Sequence, residues 1–201
     1  MDAGTLAGPS PESVAHAALQ GGADVIQWRD KNGSDADFLK HARLLCNITH
    51  HFNKIFIVND RVEMALLVQA DGIHVGHEDL SVQEVRRLAG DSFLIGRSTH
   101  SVEEALQAEK DGADYIAVGP IFQTPTKPDY PVVGLELVRA IQPLIRIPWV
   151  AIGGIDLKTL PLVLSAGAHR VAVVRAVAGD PFPETAARAL SNQLNGLIAS
   201  S

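Results

Sequence analysis

Three times in this chain a helical stretch ends in glycine, a small residue follows, and a polar residue opens an apolar run. The joints are Gly22-Ala23-Asp24, Gly112-Ala113-Asp114 and Gly167-Ala168-His169. No other feature constrains the fold as strongly. Glycine is the residue that ends helices in a left-handed turn. The apolar runs that follow lack polar alternation, as strands buried on both faces do. A repeated unit of helix, joint and buried strand implies a parallel sheet covered by helices.

Seven runs read as strands, at 24–29, 54–58, 72–75, 93–96, 115–118, 147–152 and 170–174. The first helix, around Val14 to Leu19, opens at Ser10 or Glu12 and ends at Gly21-Gly22. The next carries Phe38, Leu39, Ala42, Leu45 and Cys46 on one face. Further helices are expected at 62–68, 81–88, 101–110, 135–145, 157–165 and 182–199, with Ser81/Glu84 and Ser101/Glu104 as capping boxes. At 201 residues this fits one α/β domain spanning 1–201. A closed (β/α)8 TIM barrel needs eight strands in about 250 residues, and as few as about 200. An open doubly wound sheet is the alternative.

Composition narrows the function. The net charge of −6 opposes a general nucleic-acid binder, which needs a basic face. A single cysteine, Cys46, excludes an internal disulfide and fits a reducing cytoplasm; its plain reading is a small buried hydrophobe. No stretch has the length of a membrane span, and residues 1–8 lack the basic start and apolar core of a signal peptide. A cytoplasmic protein is expected.

The C-terminal ends of the strands are consistently polar or glycine-rich. Gln27, Arg29 and Lys31 close the first and, at a strand's period of two, share one side. Asn59-Asp60, His74 with Asp79, and Arg97-Ser98-Thr99-His100 close the next three. Gly119-Pro-Ile-Phe-Gln-Thr124-Pro-Thr126-Lys127, Gly153-Gly154 and Arg175 close the rest. In a barrel these ends build the active site. The cations with the hydroxyls and Asn59 suit a phosphate or diphosphate. Asp60 and Asp79, with Glu78 a lesser candidate, suit Mg²⁺ held between carboxylates and phosphate oxygens. Asp60 equally fits a helix cap before residue 62, and Asp79 a cap near Ser81. His74 and His77 lack the further ligands that zinc would need. His74 reads as a pocket-wall donor, His77 as a surface residue, and His16, His41, His50 and His51 as solvated. Trp28 reads as packing between strand and helices, and Phe122 as packing within its loop.

Six segments in register resemble the thiamine phosphate synthase family. They are Gln27-Trp-Arg29-Asp-Lys31, Val58-Asn59-Asp60, Gly72-Ile-His74-Val-Gly76-His-Glu-Asp79, Gly96-Arg-Ser98-Thr-His100-Ser, Gly119 to Lys127, and Ala151-Ile-Gly153-Gly154. The resemblance implies a (β/α) barrel and a cytoplasmic transferase of thiamine biosynthesis. That enzyme joins hydroxymethylpyrimidine diphosphate to a thiazole phosphate, releasing pyrophosphate. It implies Gln27 on the pyrimidine, and Arg29, Lys31, Asn59, Ser98 and Lys127 on the diphosphate, with Arg29, Lys31, Ser98 and Lys127 as catalytic groups. It further implies Mg²⁺ on Asp60 and Asp79, with Thr124, Thr126, Gly154, Val174 and Arg175 around the thiazole phosphate. A homo-oligomer is also implied.

Two departures stand out. The family has a strand ahead of the loop that here is Asp2-Ala-Gly-Thr5, so the first barrel strand is expected to be missing or truncated. The family usually carries serine where Arg175 stands, and a guanidinium there would pair with phosphate or else crowd the pocket, the pairing being the expectation. Two rival readings remain. One is the related thiazole tautomerase, which shares the 96–101 motif with its histidine as acid/base. The other is a barrel that binds a phosphate ligand without catalysis.

Overall fold

A computed structural model of the chain describes residues 1–6, 8–125 and 131–198. Among the described residues there are seven strands, each parallel to its neighbours within its unit. The chain divides into two compact units, Met1–His74 with Ala89–Phe93 and Val174–Ser191, and Val75–Leu88 with Leu94–Val173 and Asn192–Ser201.

The first unit opens on a 3-10 turn, Ala3–Thr5, then α1 (Pro11–Gln20), β1 (Val25–Trp28), α2 (Asp35–His51), β2 (Ile55–Asn59), α3 (Val62–Leu67) and most of β3 (Gly72–Val75). Ser10 caps α1 by accepting the Ser13 N–H at 3.2 Å, and Pro11 takes the first helical position, where its missing N–H costs nothing. β1 pairs with β2 from Val25–Ile55 to Trp28–Val58, and β2 pairs with β3 from Ile57–Gly72 to Asn59–His74. The core is built from Val14, Leu19, Trp28, Phe38, Leu45, Phe56 and Val58. Trp28 packs against the rings of Phe38 and His41 at 6.3 and 5.8 Å. Its indole N–H has no partner among the described residues. Such a buried donor costs about 1–3 kcal/mol. Truncating a core tryptophan costs about 3–5 kcal/mol. Packing therefore holds the residue there despite its orphan N–H. The short helix α8 (Arg175–Ala178) and most of α9 (Pro183–Ile198) belong to this unit as well.

The second unit holds most of α4 (Val82–Ala89), then β4 (Leu94–Thr99), α5 (Val102–Lys110), β5 (Tyr115–Val118), α6 (Gly134–Ile141), β6 (Trp149–Ile152), α7 (Leu160–Ser165) and β7 (Val171–Ala172). Its strands pair in chain order, Gly96–Tyr115 to Thr99–Val118, Ile116–Trp149 to Val118–Ala151, then Ala151–Val171. The three predicted joints all take left-handed backbone at glycine, with φ of +102° at Gly22, +88° at Gly112 and +105° at Gly167. The Ser81/Glu84 box forms reciprocally, at 2.8 and 3.2 Å. The Ser101/Glu104 box forms in one direction only. Glu104 N–H reaches Ser101 Oγ at 3.1 Å, while the Glu104 carboxylate accepts from His100 N at 2.8 Å, one residue early.

The structure departs from expectation at several edges. β4 runs three residues further than expected, so Arg97, Ser98 and Thr99 lie within a strand. β7 is only two residues long, and α8 follows it unforeseen. No eighth strand is found among the described residues. An isolated parallel bridge pairs Asp2 with Arg29, with Arg29 N donating to Met1 O at 3.0 Å and Ala3 N to Arg29 O at 2.9 Å.

Of the histidines expected to be solvated, His50 is exposed yet reaches a partner, and His41 is half-buried against one. His41 Nδ1 lies 2.7 Å from Glu12 Oε1, tying α2 to α1. Burial pushes Glu12 up, yet His41, the residue's own backbone N–H and Ser10 outweigh it and hold the carboxyl below its ordinary range. His50 Nε2 lies 2.9 Å from Asp71 Oδ2. Cys46, 3% exposed, behaves as the small hydrophobe expected: burial first, and Asp71 second, push its thiol up to about 11. Thiolate is the reactive form, so at pH 8 alkylation by iodoacetamide should run on the order of a hundredfold slower than for an ordinary exposed cysteine. Urea should restore the ordinary rate. Equal rates in native and unfolded protein would show that the thiol is not shielded.

Candidate functional site

In the first unit the ends of β1 and β2 open onto a cavity of about 300 Å³ lined by Arg29, Lys31, Asn59, Asp60 and Arg61, together with Asp30 and Gly33. Arg29, Lys31, Asn59 and Asp60, expected to act together, thus meet around one space. Gln27 does not line it and is half-buried in β1. Asp30, Gly33 and Arg61 were not foreseen. Asp30 Oδ1 accepts the N–H groups of Asn32 at 3.1 Å and Gly33 at 2.8 Å, which folds the loop after β1 into a tight turn. The Asp-x-x-Gly spacing signals such a turn. Arg61 adjoins Asn59-Asp60 in sequence, which was the available sign. Its guanidinium lies 4.5 Å from the Phe38 ring centroid and is paired to Asp35, so it also fastens the start of α3 to α2.

Asp60 is the unusual residue of the wall. Its φ is +64°, and its N–H donates to His74 O at 2.9 Å across the β2–β3 pair. Left-handed backbone at a non-glycine residue costs of order 1 kcal/mol and gathers at functional sites. The capping alternative does not hold. The cap of α3 is Arg61, with no side-chain hydrogen bond. Lys31 Nζ lies 3.3 Å from Asp60 Oδ2, with the lysine side chain 56% exposed. A pair that open contributes at most about 1 kcal/mol to stability. Its consequence is a cation and a carboxylate side by side at the cavity rim. Asn59 and His74, each under a tenth exposed, sit opposite one another in register.

In the second unit the capping bond at the start of α4 goes to Ser81 Oγ. Asp79 serves its own loop, its Oδ2 accepting Gly76 N–H at 2.6 Å. Arg97 braces that loop, donating to Leu80 O at 3.1 Å and His77 O at 3.3 Å. His77 is exposed, as expected.

The loop after β5 is built against the end of β6. Ile121 N donates to Ile152 O at 2.9 Å and Phe122 N to Gly153 O at 3.0 Å. A Cβ on Gly153 would stand 2.6 Å from Pro120 Cα, and one on Gly154 2.7 Å from Phe122 Cβ and 2.8 Å from Gln123 O. The two glycines therefore admit the Pro120–Gln123 backbone where any side chain would exclude it. Phe122 is half-buried in the loop. His100 Nδ1 is hydrogen-bonded to Gly119 O. A carbonyl only accepts, so Nδ1 carries the proton. Thr124 is half-buried in the same unit, Ser98 lies within β4, and Gly154 is exposed. Thr126 and Lys127 lie outside the described residues. Val174 caps α8 and Arg175 is its exposed first residue, both in the first unit.

Among the described residues no group of three or more His, Cys, Asp or Glu could hold a metal by itself. Mg²⁺ needs no such cage, because it keeps several waters and takes one or two carboxylates beside phosphate oxygens. Asp60, with its side chain 18% exposed on the wall of a cationic cavity, has the chemistry for that kind of site.

Parallel strands in chain order, with a cavity lined by cations at the strand ends of the first unit, define an α/β protein. The chain belongs to the thiamine monophosphate synthase family, whose model matches residues 5–177. It is 50% identical over 178 residues to a thiamine-phosphate synthase of Synechococcus sp. strain WH7803, covering 89% of this chain and 50% of that protein. It therefore spans about half the length of that relative. It is 47% identical over 199 residues to the thiamine-phosphate synthase of Chloroflexus aurantiacus, covering 98% of this chain and 90% of that one. A solved thiamine phosphate pyrophosphorylase from Pyrococcus furiosus superposes with a TM-score of 0.91 at 36% identity, over 98% of this chain and 94% of that one.

Proposed function

We propose that the chain joins hydroxymethylpyrimidine diphosphate to a thiazole phosphate, forming thiamine phosphate and pyrophosphate. The observation that carries this reading is the cavity at the ends of β1 and β2, whose wall brings together Arg29, Lys31, Asn59 and Asp60. The carbon–oxygen bond between the pyrimidine methylene and the diphosphate breaks, and the thiazole nitrogen forms the new bond to that carbon. The aminopyrimidine ring is electron-rich and stabilises the cation left behind, so no strong base is required. The protein's work is to neutralise the leaving group and hold the acceptor close.

In this reading Arg29, Lys31, Asn59, Ser98 and Lys127 hold the diphosphate, and Gln27 holds the pyrimidine. Thr124, Thr126, Gly154, Val174 and Arg175 take the thiazole phosphate. Asp60 and Asp79 would hold Mg²⁺, which supplies charge neutralisation to the departing oxygens. The fold is then a (β/α) barrel, in a cytoplasmic homo-oligomer. No described helix is long and apolar enough to cross a membrane.

The test is pyrophosphate release on mixing both substrates, with and without Mg²⁺. Release that needs both substrates and the metal is expected. Conversion of a thiazole phosphate tautomer without diphosphate or metal would point to an isomerase instead. Binding without turnover would leave a ligand-binding barrel.

A further inference from the structure

We propose that Asp2 is a positioning residue for Arg29, and through it aims Arg29 at the departing diphosphate; this rests on the transferase reading above. Asp2 is 9% exposed, although it stands at the edge of the paired strands. Its carboxylate is divided between two tasks. Oδ1 accepts Gly4 N–H at 3.0 Å and shapes the turn at Ala3–Thr5, and Oδ2 pairs with Arg29 Nη1. The backbone is fixed as well, with Met1 O and Ala3 N on either side of the bridge bonded to Arg29 at 3.0 and 2.9 Å. Arg29 is thus clamped at its main chain and at one edge of its guanidinium.

The clamp matters because of what Arg29 faces. It is a wall residue of the cavity, with its side chain 23% exposed. A free arginine side chain has wide rotamer freedom, while its planar fork binds phosphate with strict geometry. Occupying Nη1 leaves the remaining N–H donors to be presented in one direction.

Two effects oppose each other when Asp2 is neutralised. Loss of its negative charge favours binding of an anionic substrate. Loss of the clamp leaves Arg29 free to turn away from the charge that develops as the bond breaks. The first acts on the ground state and the second on the transition state, so the kinetic constants separate them.

Asp2→Asn is the variant of choice, because its amide oxygen can still accept Gly4 N–H and keep the turn. The expected result is a kcat lowered at least tenfold, with KM for the diphosphate substrate unchanged or lower and KM for the thiazole phosphate unchanged. On an Arg29→Gln background the same substitution should change kcat less than twofold, since its target is gone. Melting temperatures of all variants report folding. A wild-type kcat in Asp2→Asn overturns the proposal and leaves the transferase reading standing. So does an equal rise of both KM values with a lowered melting temperature, which marks a structural role only. A full tenfold loss that persists on the Arg29→Gln background overturns it too. A wild-type chain that releases no pyrophosphate overturns the transferase reading itself, and this proposal with it.

Discussion

Asp60→Asn should lower turnover by about a hundredfold or more while leaving the fold intact, the scale set by losing one electrostatic group at a reacting centre. Two features make this substitution clean. Asp60 sits in left-handed backbone, with φ +64°. Asparagine tolerates that region as well as aspartate does. The N–H to His74 O therefore survives, and only the charge is removed. The ion pair that is lost, to a Lys31 side chain 56% exposed, is worth too little to unfold the unit. What remains is a cavity with Arg29, Asp30, Lys31 and Arg61 but without the Asp60 carboxylate, the proposed metal ligand. Raised Mg²⁺ should restore part of the rate by mass action. The check is pyrophosphate release against Mg²⁺ concentration. A wild-type rate at low Mg²⁺ would remove Asp60 from the metal site. An unfolded variant would contradict its placement as a wall residue.

The same residue shows what sequence carries and what it does not. Asn59-Asp60 at a strand end was readable as either a ligand or a helix cap, because both uses need a short acidic side chain before a helix. The backbone removes the cap reading, because the N-cap position of α3 falls on Arg61 and Asp60 takes a left-handed φ, while the ligand reading stays a proposal. The repeated units were legible because helix ends and buried strands are local: the joints at Gly22, Gly112 and Gly167 all take the expected conformation. Strand ends were less so. β4 continues through Arg97 to Thr99 because its pairing with β5 extends to Val118, a tertiary fact that no local pattern states. The pairing of Asp2 with Arg29 crosses 27 residues and leaves no local trace at all. His41 was misjudged for the same reason, since its partner Glu12 lies on another element.

Gly154→Ala should lower stability by about 1–3 kcal/mol and, in the proposed reaction, raise KM for the thiazole phosphate about tenfold or more without moving KM for the diphosphate substrate. Two penalties combine at this position. Its φ of +64° strains any residue with a Cβ, and that Cβ would press on Phe122 Cβ and Gln123 O at 2.7 and 2.8 Å. A backbone oxygen cannot rotate away as a side-chain tip can. Relief must come from moving the Pro120–Gln123 backbone, and Thr124 moves with it. Gly112 supplies the control, because it has φ +88° and nothing within 4 Å of an added Cβ. Gly112→Ala carries the dihedral strain alone. It should cost about 1 kcal/mol, or roughly 2–4 °C in Tm for a chain of this size, and leave both KM values unchanged. The difference between the two variants isolates the loop displacement from the conformational strain. If Gly154→Ala moves the thiazole phosphate KM no more than Gly112→Ala does, the loop is a packing element, and the acceptor's phosphate must be held elsewhere.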